Sequence, residues 1–139
     1  MDLSTYIEHT LLKPNASYEQ IKKCCLLAEE HQFVGVCIPP FHIPNAVAIL
    51  KDSPVKVVSV IGFPMGYSAI SAKVEEAKRA VADGADEVDM VVNIAAIKDG
   101  KWSYFHNDID SVTRATHLKG KVMKVIFKPN RLERGSFQN

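Results

Sequence analysis

Asp89 stands inside an apolar run, Val88-Asp89-Met90-Val91-Val92. Its neighbours favour extended backbone and are nearly continuous, as in a strand covered on both faces. A carboxylate in such a place is costly unless another group pairs with it or uses it. If it is used, a carboxyl raised by burial can both give and take protons. If it is not, it is a capped or salt-bridged acid near a strand start. Alternation puts residues 89, 91 and 93 on one face, so Asp89 and Asn93 are expected to point the same way. Cys37, near the end of Phe33 to Ile38, reads as a pocket residue or as a small buried hydrophobe. In the run from Lys121 to Phe127, alternation places Lys124 and Ile126 on one face and Met123, Val125 and Phe127 on the other.

The elements that must position these residues follow one another along the chain. Asp2 to Glu8 allows one or two helical turns, ended at Pro14, which holds Lys13 extended. Ser17-Tyr18-Glu19-Gln20 is a capping-box pattern, and Ile21, Cys24, Cys25 and Ala28 continue it as an apolar helical stripe to about Glu30. Phe33 to Ile38 is a short strand stopped by two prolines, and Pro44 opens a helix running to Leu50. Lys56 to Ile61 is a strong strand leading into Gly62-Phe63-Pro64-Met65-Gly66, where glycines let backbone approach a ligand. A helix capped by Ser71 is expected to carry Val74, Ala77, Lys78 and Val81 in register, with a Glu75–Arg79 surface pair. Beyond Asp89, Ile94 to Gly100 reads as a turn, and Trp102 to Thr116 as a helix with Phe105, Ile109 and Val112 inward. The pattern is a helix followed by β-α-β-α-β-α-β, about four parallel strands with right-handed crossovers. A doubly wound sheet and part of a (β/α)₈ barrel both fit, and in both, ligands bind at the C-terminal ends of the strands.

Composition excludes several classes. The 139 residues carry a net charge of +1, which gives no reason to expect nucleic acid or an anionic membrane as partner. No apolar run is long enough to span a bilayer, and Met1 to Thr10 has no signal-peptide pattern. Three cysteines, two of them adjacent, make neither a disulfide framework nor a zinc spacing, so a reducing, cytoplasmic setting and no metal are expected.

Five blocks then occur in order: Ile7-Glu8-His9-Thr10-Leu11-Leu12-Lys13-Pro14, Val36-Cys37-Ile38, Val60-Ile61-Gly62-Phe63-Pro64-Met65-Gly66, Glu87 through Ile94, and Lys124-Val125-Ile126-Phe127. Together they closely resemble the N-terminal part of the deoxyribose-phosphate aldolase family. The resemblance implies a class I aldolase on a (β/α)₈ TIM barrel. Such an enzyme reversibly cleaves 2-deoxyribose 5-phosphate to glyceraldehyde 3-phosphate and acetaldehyde through a lysine Schiff base, with no cofactor. It implies that Asp89 is the acid that relays protons and that Lys124 lines the pocket. Glu8, Thr10 and Lys13 then contribute polar groups beneath it, Glu8 standing where the family usually has aspartate.

The resemblance stops at Phe127, and residues 128–139 form a divergent tail without helical or strand period. The family's Lys-Thr-Ser-Thr-Gly block with the Schiff-base lysine is absent from the 139 residues. The expectation is therefore a partial barrel over residues 1–127, an irregular tail, and little or no activity. Two exposed edges, at Phe33 to Ile38 and Lys121 to Phe127, suggest a homo-oligomer, with two copies closing eight strands as a dimer. Two other readings are residual aldol chemistry with Lys124 as substitute nucleophile, and a non-catalytic assembly or binding module.

Overall fold

The structure, a computed structural model, describes residues 3–127. The tail from Lys128, expected to be irregular, lies outside the described residues. Five parallel strands pair in chain order into one sheet: β1 (Glu8–Thr10), β2 (Gly35–Ile38), β3 (Lys56–Ile61), β4 (Glu87–Val91) and β5 (Val122–Ile126). Between them lie α1 (Tyr18–Glu30), α2 (Ile43–Ile49), α3 (Ile70–Ala82), α4 (Ile94–Lys98) and α5 (Trp102–His117), with single 3₁₀ turns at Leu3–Tyr6 and Pro40–His42.

The strand count corrects the expectation of about four. Glu8-His9-Thr10 has no apolar alternation, and it is pairing with β2, His9 beside Val36 and Thr10 beside Cys37, that makes it a strand. The Cys24 thiol also reaches the His9 carbonyl at 3.9 Å, tying α1 to β1. The first open edge is therefore β1, because β2 is paired on both sides. Two copies of a five-stranded sheet also exceed the eight strands of a closed barrel, so the predicted eight-strand dimer does not follow.

Alternation along the strands gives the sheet two unlike faces. Val36, Ile38, Val57, Ile61, Val88 and Met90 form the main core with buried residues of the helices, including Ile21, Cys25, Ala28, Ala77 and Val112. Cys37, Val58 and Val60 point the other way and form a smaller cluster flanked by Leu12 and Phe63. The second face is concave. A flat sheet would keep β1 and β5 about 19 Å apart, yet the side chains of Glu8 on β1 and Lys124 on β5 meet at 3.1 Å. The sheet therefore curls with this face inside, as part of a (β/α)₈ barrel wall with the helices outside.

Local chemistry explains three of the helix starts. Ser17 accepts a hydrogen bond from the Gln20 amide, while the Gln20 side chain accepts one from the Ser17 amide, so the capping box forms as predicted. Pro44 sits in the first turn of α2. Other expectations are corrected. Residues 94–98 are a helix, not a turn, because the Asn93 side chain caps it by accepting from the Ala96 amide. The cap position of α3 is Ala69, not Ser71, and its buried stripe runs through Lys73, Ala77 and Ala80. Lys78 lies on the exposed side and pairs with Glu75, while Arg79 pairs with Asp83 rather than Glu75.

Candidate active site

Asp89 lies on the concave face of β4, as does Glu87 two residues earlier, and Lys124 of β5 stands in register beside Asp89. The Lys124 ammonium is 3.1 Å from Glu8 Oε2, 3.3 Å from Glu87 Oε2 and 3.9 Å from Asp89 Oδ1. Lys56 of β3 reaches the other oxygen of Glu87 at 3.5 Å. Strands β1, β3, β4 and β5 thus deliver three carboxylates and two ammonium groups to one patch of the curled sheet.

Burial sets the electrostatics. The Asp89 side chain is only 10% exposed, whereas Lys124 is 46% exposed. Loss of water pushes the Asp89 carboxyl up to about 6; Lys124 pulls it down, and the charges of Glu8 and Glu87 push it further up. Its Oδ1 is buried and has no hydrogen-bond partner. For Lys124, burial by itself favours the neutral amine, but the hydrogen bond to Glu8 and the charges of Asp89, Glu8 and Glu87 outweigh it and raise the pKa. The site therefore pairs a carboxyl that titrates near neutrality with a lysine held as its cation, an arrangement suited to proton transfer more than to nucleophilic attack.

The other expected residues are only partly gathered here. Thr10 is on β1, and its hydroxyl donates to the Glu8 carbonyl at 3.3 Å. Cys37 shares the concave face but belongs to β2, two strands from β4 and so about 10 Å across the sheet. Lys13 lines a cleft of about 770 Å³ at the C-terminal ends of the first strands, with Leu12, Phe41, His42, Phe63 and Glu76. Asn93 falls outside the strand alternation that was expected to align it with Asp89. The strand ends at Val91, its alternation ends with it, and the Asn93 side chain is used as the cap of α4. Cys24 and Cys25 are buried under α1, and desolvation raises their thiols to about 11 and about 12, as inert core residues.

Several site residues escaped the sequence reading. Glu87 follows from the same alternation that points to Asp89, two residues earlier on the same face of β4, but it was not singled out. Lys73 and Asp108 form a fully buried ion pair at 2.7 Å. The Lys73 ammonium also donates to the Val91 carbonyl, and the Asn93 amide donates to Asp108, so this pair clamps the C-terminal end of β4 to α3 and α5. The Gly62–Gly66 loop is spent internally. The Gly62 amide donates to Glu76 at 2.7 Å, and a side chain at Gly66 (φ +71°) would collide with the Val92 carbonyl. In His42, Nε2 donates to the Ala16 carbonyl, which leaves Nδ1 to accept from Asn45. Among the described residues, no group of three or more His, Cys, Asp or Glu side chains is arranged to hold a metal ion, and no helix is long and apolar enough to cross a membrane.

An open parallel wall with an acid and a lysine on its inner face defines a barrel-type α/β protein of the aldolase kind. Residues 1–132 match the DeoC/LacD family aldolase, and the chain belongs to that family. It is 45% identical over 133 residues to the deoxyribose-phosphate aldolase of Treponema denticola, covering 96% of this chain and 62% of that protein. The solved structure of QR15, an aldolase, superposes with a TM-score of 0.85 at 38% identity, covering 90% of this chain and 55% of that one. The tetrameric deoxyribose phosphate aldolase of Aeropyrum pernix superposes with a TM-score of 0.80 at 26% identity, covering 88% and 51%. The chain thus spans between half and two thirds of the length of these relatives.

Proposed function

We propose that this chain forms the acid–base wall of a deoxyribose-phosphate aldolase. The reaction is the reversible cleavage of 2-deoxy-D-ribose 5-phosphate to glyceraldehyde 3-phosphate and acetaldehyde through a lysine Schiff base. Asp89 is the group that moves protons as the carbinolamine loses or gains water, with Lys124, Cys37, Thr10 and Lys13 lining the pocket and its mouth. The carrying observation is the Asp89 carboxyl, raised to about 6, with an unpartnered buried oxygen beside a lysine cation. A group with that pKa loads and unloads protons at neutral pH with little penalty either way.

The Schiff base itself needs an amine that is neutral when it attacks. Lys124 does not meet that need, because three carboxylates surround its ammonium. The family's Lys-Thr-Ser-Thr-Gly run does not occur in the 139 residues. We therefore assign little or no turnover to this chain alone, in a reducing cytoplasmic setting consistent with three free cysteines. Two measurements test the assignment. Acetaldehyde and 2-deoxyribose 5-phosphate, titrated into labelled protein, should perturb amide resonances around Asp89, Lys124, Cys37 and Thr10. Perturbations confined to the helical side would overturn the site. Borohydride trapping with acetaldehyde, read by mass spectrometry, should give no adduct at Lys124; an adduct there would make Lys124 a working nucleophile and overturn the division of roles.

Self-association is also part of this proposal, favoured by the outer edges of β1 and β5, which have no strand beside them among the described residues.

A further inference from the structure

The register of the sheet sets Lys124 beside Asp89, with Glu87 beside Val122. Register alone would make Asp89 the closest acid to the Lys124 ammonium. The ammonium instead leans toward the N-terminal ends of the strands, 3.1 Å from Glu8 and 3.3 Å from Glu87, and stays 3.9 Å from Asp89. Glu87 is itself fixed, with its side chain 13% exposed and its second oxygen braced by Lys56 from β3 at 3.5 Å. The groups facing this hollow of about 340 Å³ are Glu8 from β1, Lys56 from β3, Glu87 from β4, Lys124 from β5 and Tyr6 from the first 3₁₀ turn, and Asp89 approaches the same ammonium at 3.9 Å.

We propose that Glu87 is a positioning residue for Asp89: with Glu8 it holds the Lys124 ammonium one pleat away, so that Asp89 keeps an oxygen unpaired for proton transfer. This rests on the reading of Asp89 as the proton-transferring acid. The physical logic is competition. An ammonium has one preferred place among several carboxylates, and the two glutamates outcompete the acid that stands in register. Were Glu87 neutral, the ammonium would move to Asp89 Oδ1 and form a close pair, and a close cation lowers a carboxyl pKa by about 1–3 units. Asp89 would then hold its proton far less often at neutral pH and lose much of its capacity to donate.

The test is a carboxyl-carbon NMR titration of Asp89 in four proteins: the unaltered chain, Glu87→Gln, Lys124→Met, and the double variant. In the unaltered chain the midpoint should lie near 6. In Glu87→Gln it should fall by about one pH unit or more. Removing a negative charge also lowers Asp89 directly, and the double variant isolates that effect. In the Lys124→Met background, the fall caused by Glu87→Gln should shrink to less than half. Glu87→Asp, which keeps the charge, should stay close to the unaltered chain. An unchanged midpoint in Glu87→Gln, or an equal fall in both backgrounds, overturns the role of Glu87 and leaves the assignment of Asp89 standing. A midpoint near 4 in the unaltered chain overturns both. If Glu87→Gln gives no folded spectrum, Glu8→Gln is measured in its place, with the same expected fall and the same overturning results.

Discussion

A carboxyl held near pH 6 leaves a mark on folding. The folded Asp89 binds its proton more tightly than an unfolded aspartate, whose ordinary value is 3.8. Between those two values the native state carries more protons, so its contribution to stability falls as pH rises and is lost above about 6. An amide in place of this carboxyl cannot ionise and escapes that loss. The Asp89→Asn protein should match the parent near pH 4 and exceed it at pH 7.5 by roughly 2–3 kcal/mol, read from urea unfolding at both pH values. Equal stabilities at pH 7.5 would mean that burial does not burden this carboxyl. Alternation sorted the residues within each strand, but that Asp89 and Lys124 share one face was implied only by the family resemblance, and the register of β4 with β5 sets it. Alternation failed at Asn93, where the strand had already ended and a helix cap took the side chain. The same rule puts Glu87, the first residue of β4, on the face of Asp89, but only its ion pairs with Lys56 and Lys124, from two other strands, mark it as part of the site.

At the scale of elements, α1 was readable almost to the residue, since its cap and its apolar stripe agree. In α3 they did not agree. The stripe is turned by one residue, because Lys73 takes a core position that its charge seemed to forbid. Only a partner distant in sequence makes this tolerable: Asp108, 35 residues later, and no local pattern announces it. Both side chains are fully buried, and a buried charge stripped of its partner is costly. Lys73→Met should therefore destabilise the protein by about 3–5 kcal/mol, measured by urea denaturation. Lys73→Met/Asp108→Leu should recover most of that loss. If the double variant is no better than the single one, the pair's contribution lies in its geometry at the end of β4 rather than in charge compensation. Strand β1 was missed for a related reason: a three-residue polar segment becomes a strand only through its neighbour.

For the molecule as a whole, alternation of strands and helices predicted a parallel sheet, and five ordered blocks predicted the family, but neither fixed how many strands there are. That number matters for assembly. The outer edges of β1 and β5 offer unpaired backbone groups among the described residues, and the concave face carries apolar side chains beside its charges. Light scattering after size exclusion should show a species larger than 15.4 kDa at micromolar concentration; a stable monomer would end the self-association proposal. Finally, the amide of Gly62, at the C-terminal end of β3, is already filled by the carboxylate of Glu76. A doubly charged phosphate arriving there would find its berth taken by a negative charge. An anion brought to that end of the third strand would meet repulsion where a free amide would have offered it a donor.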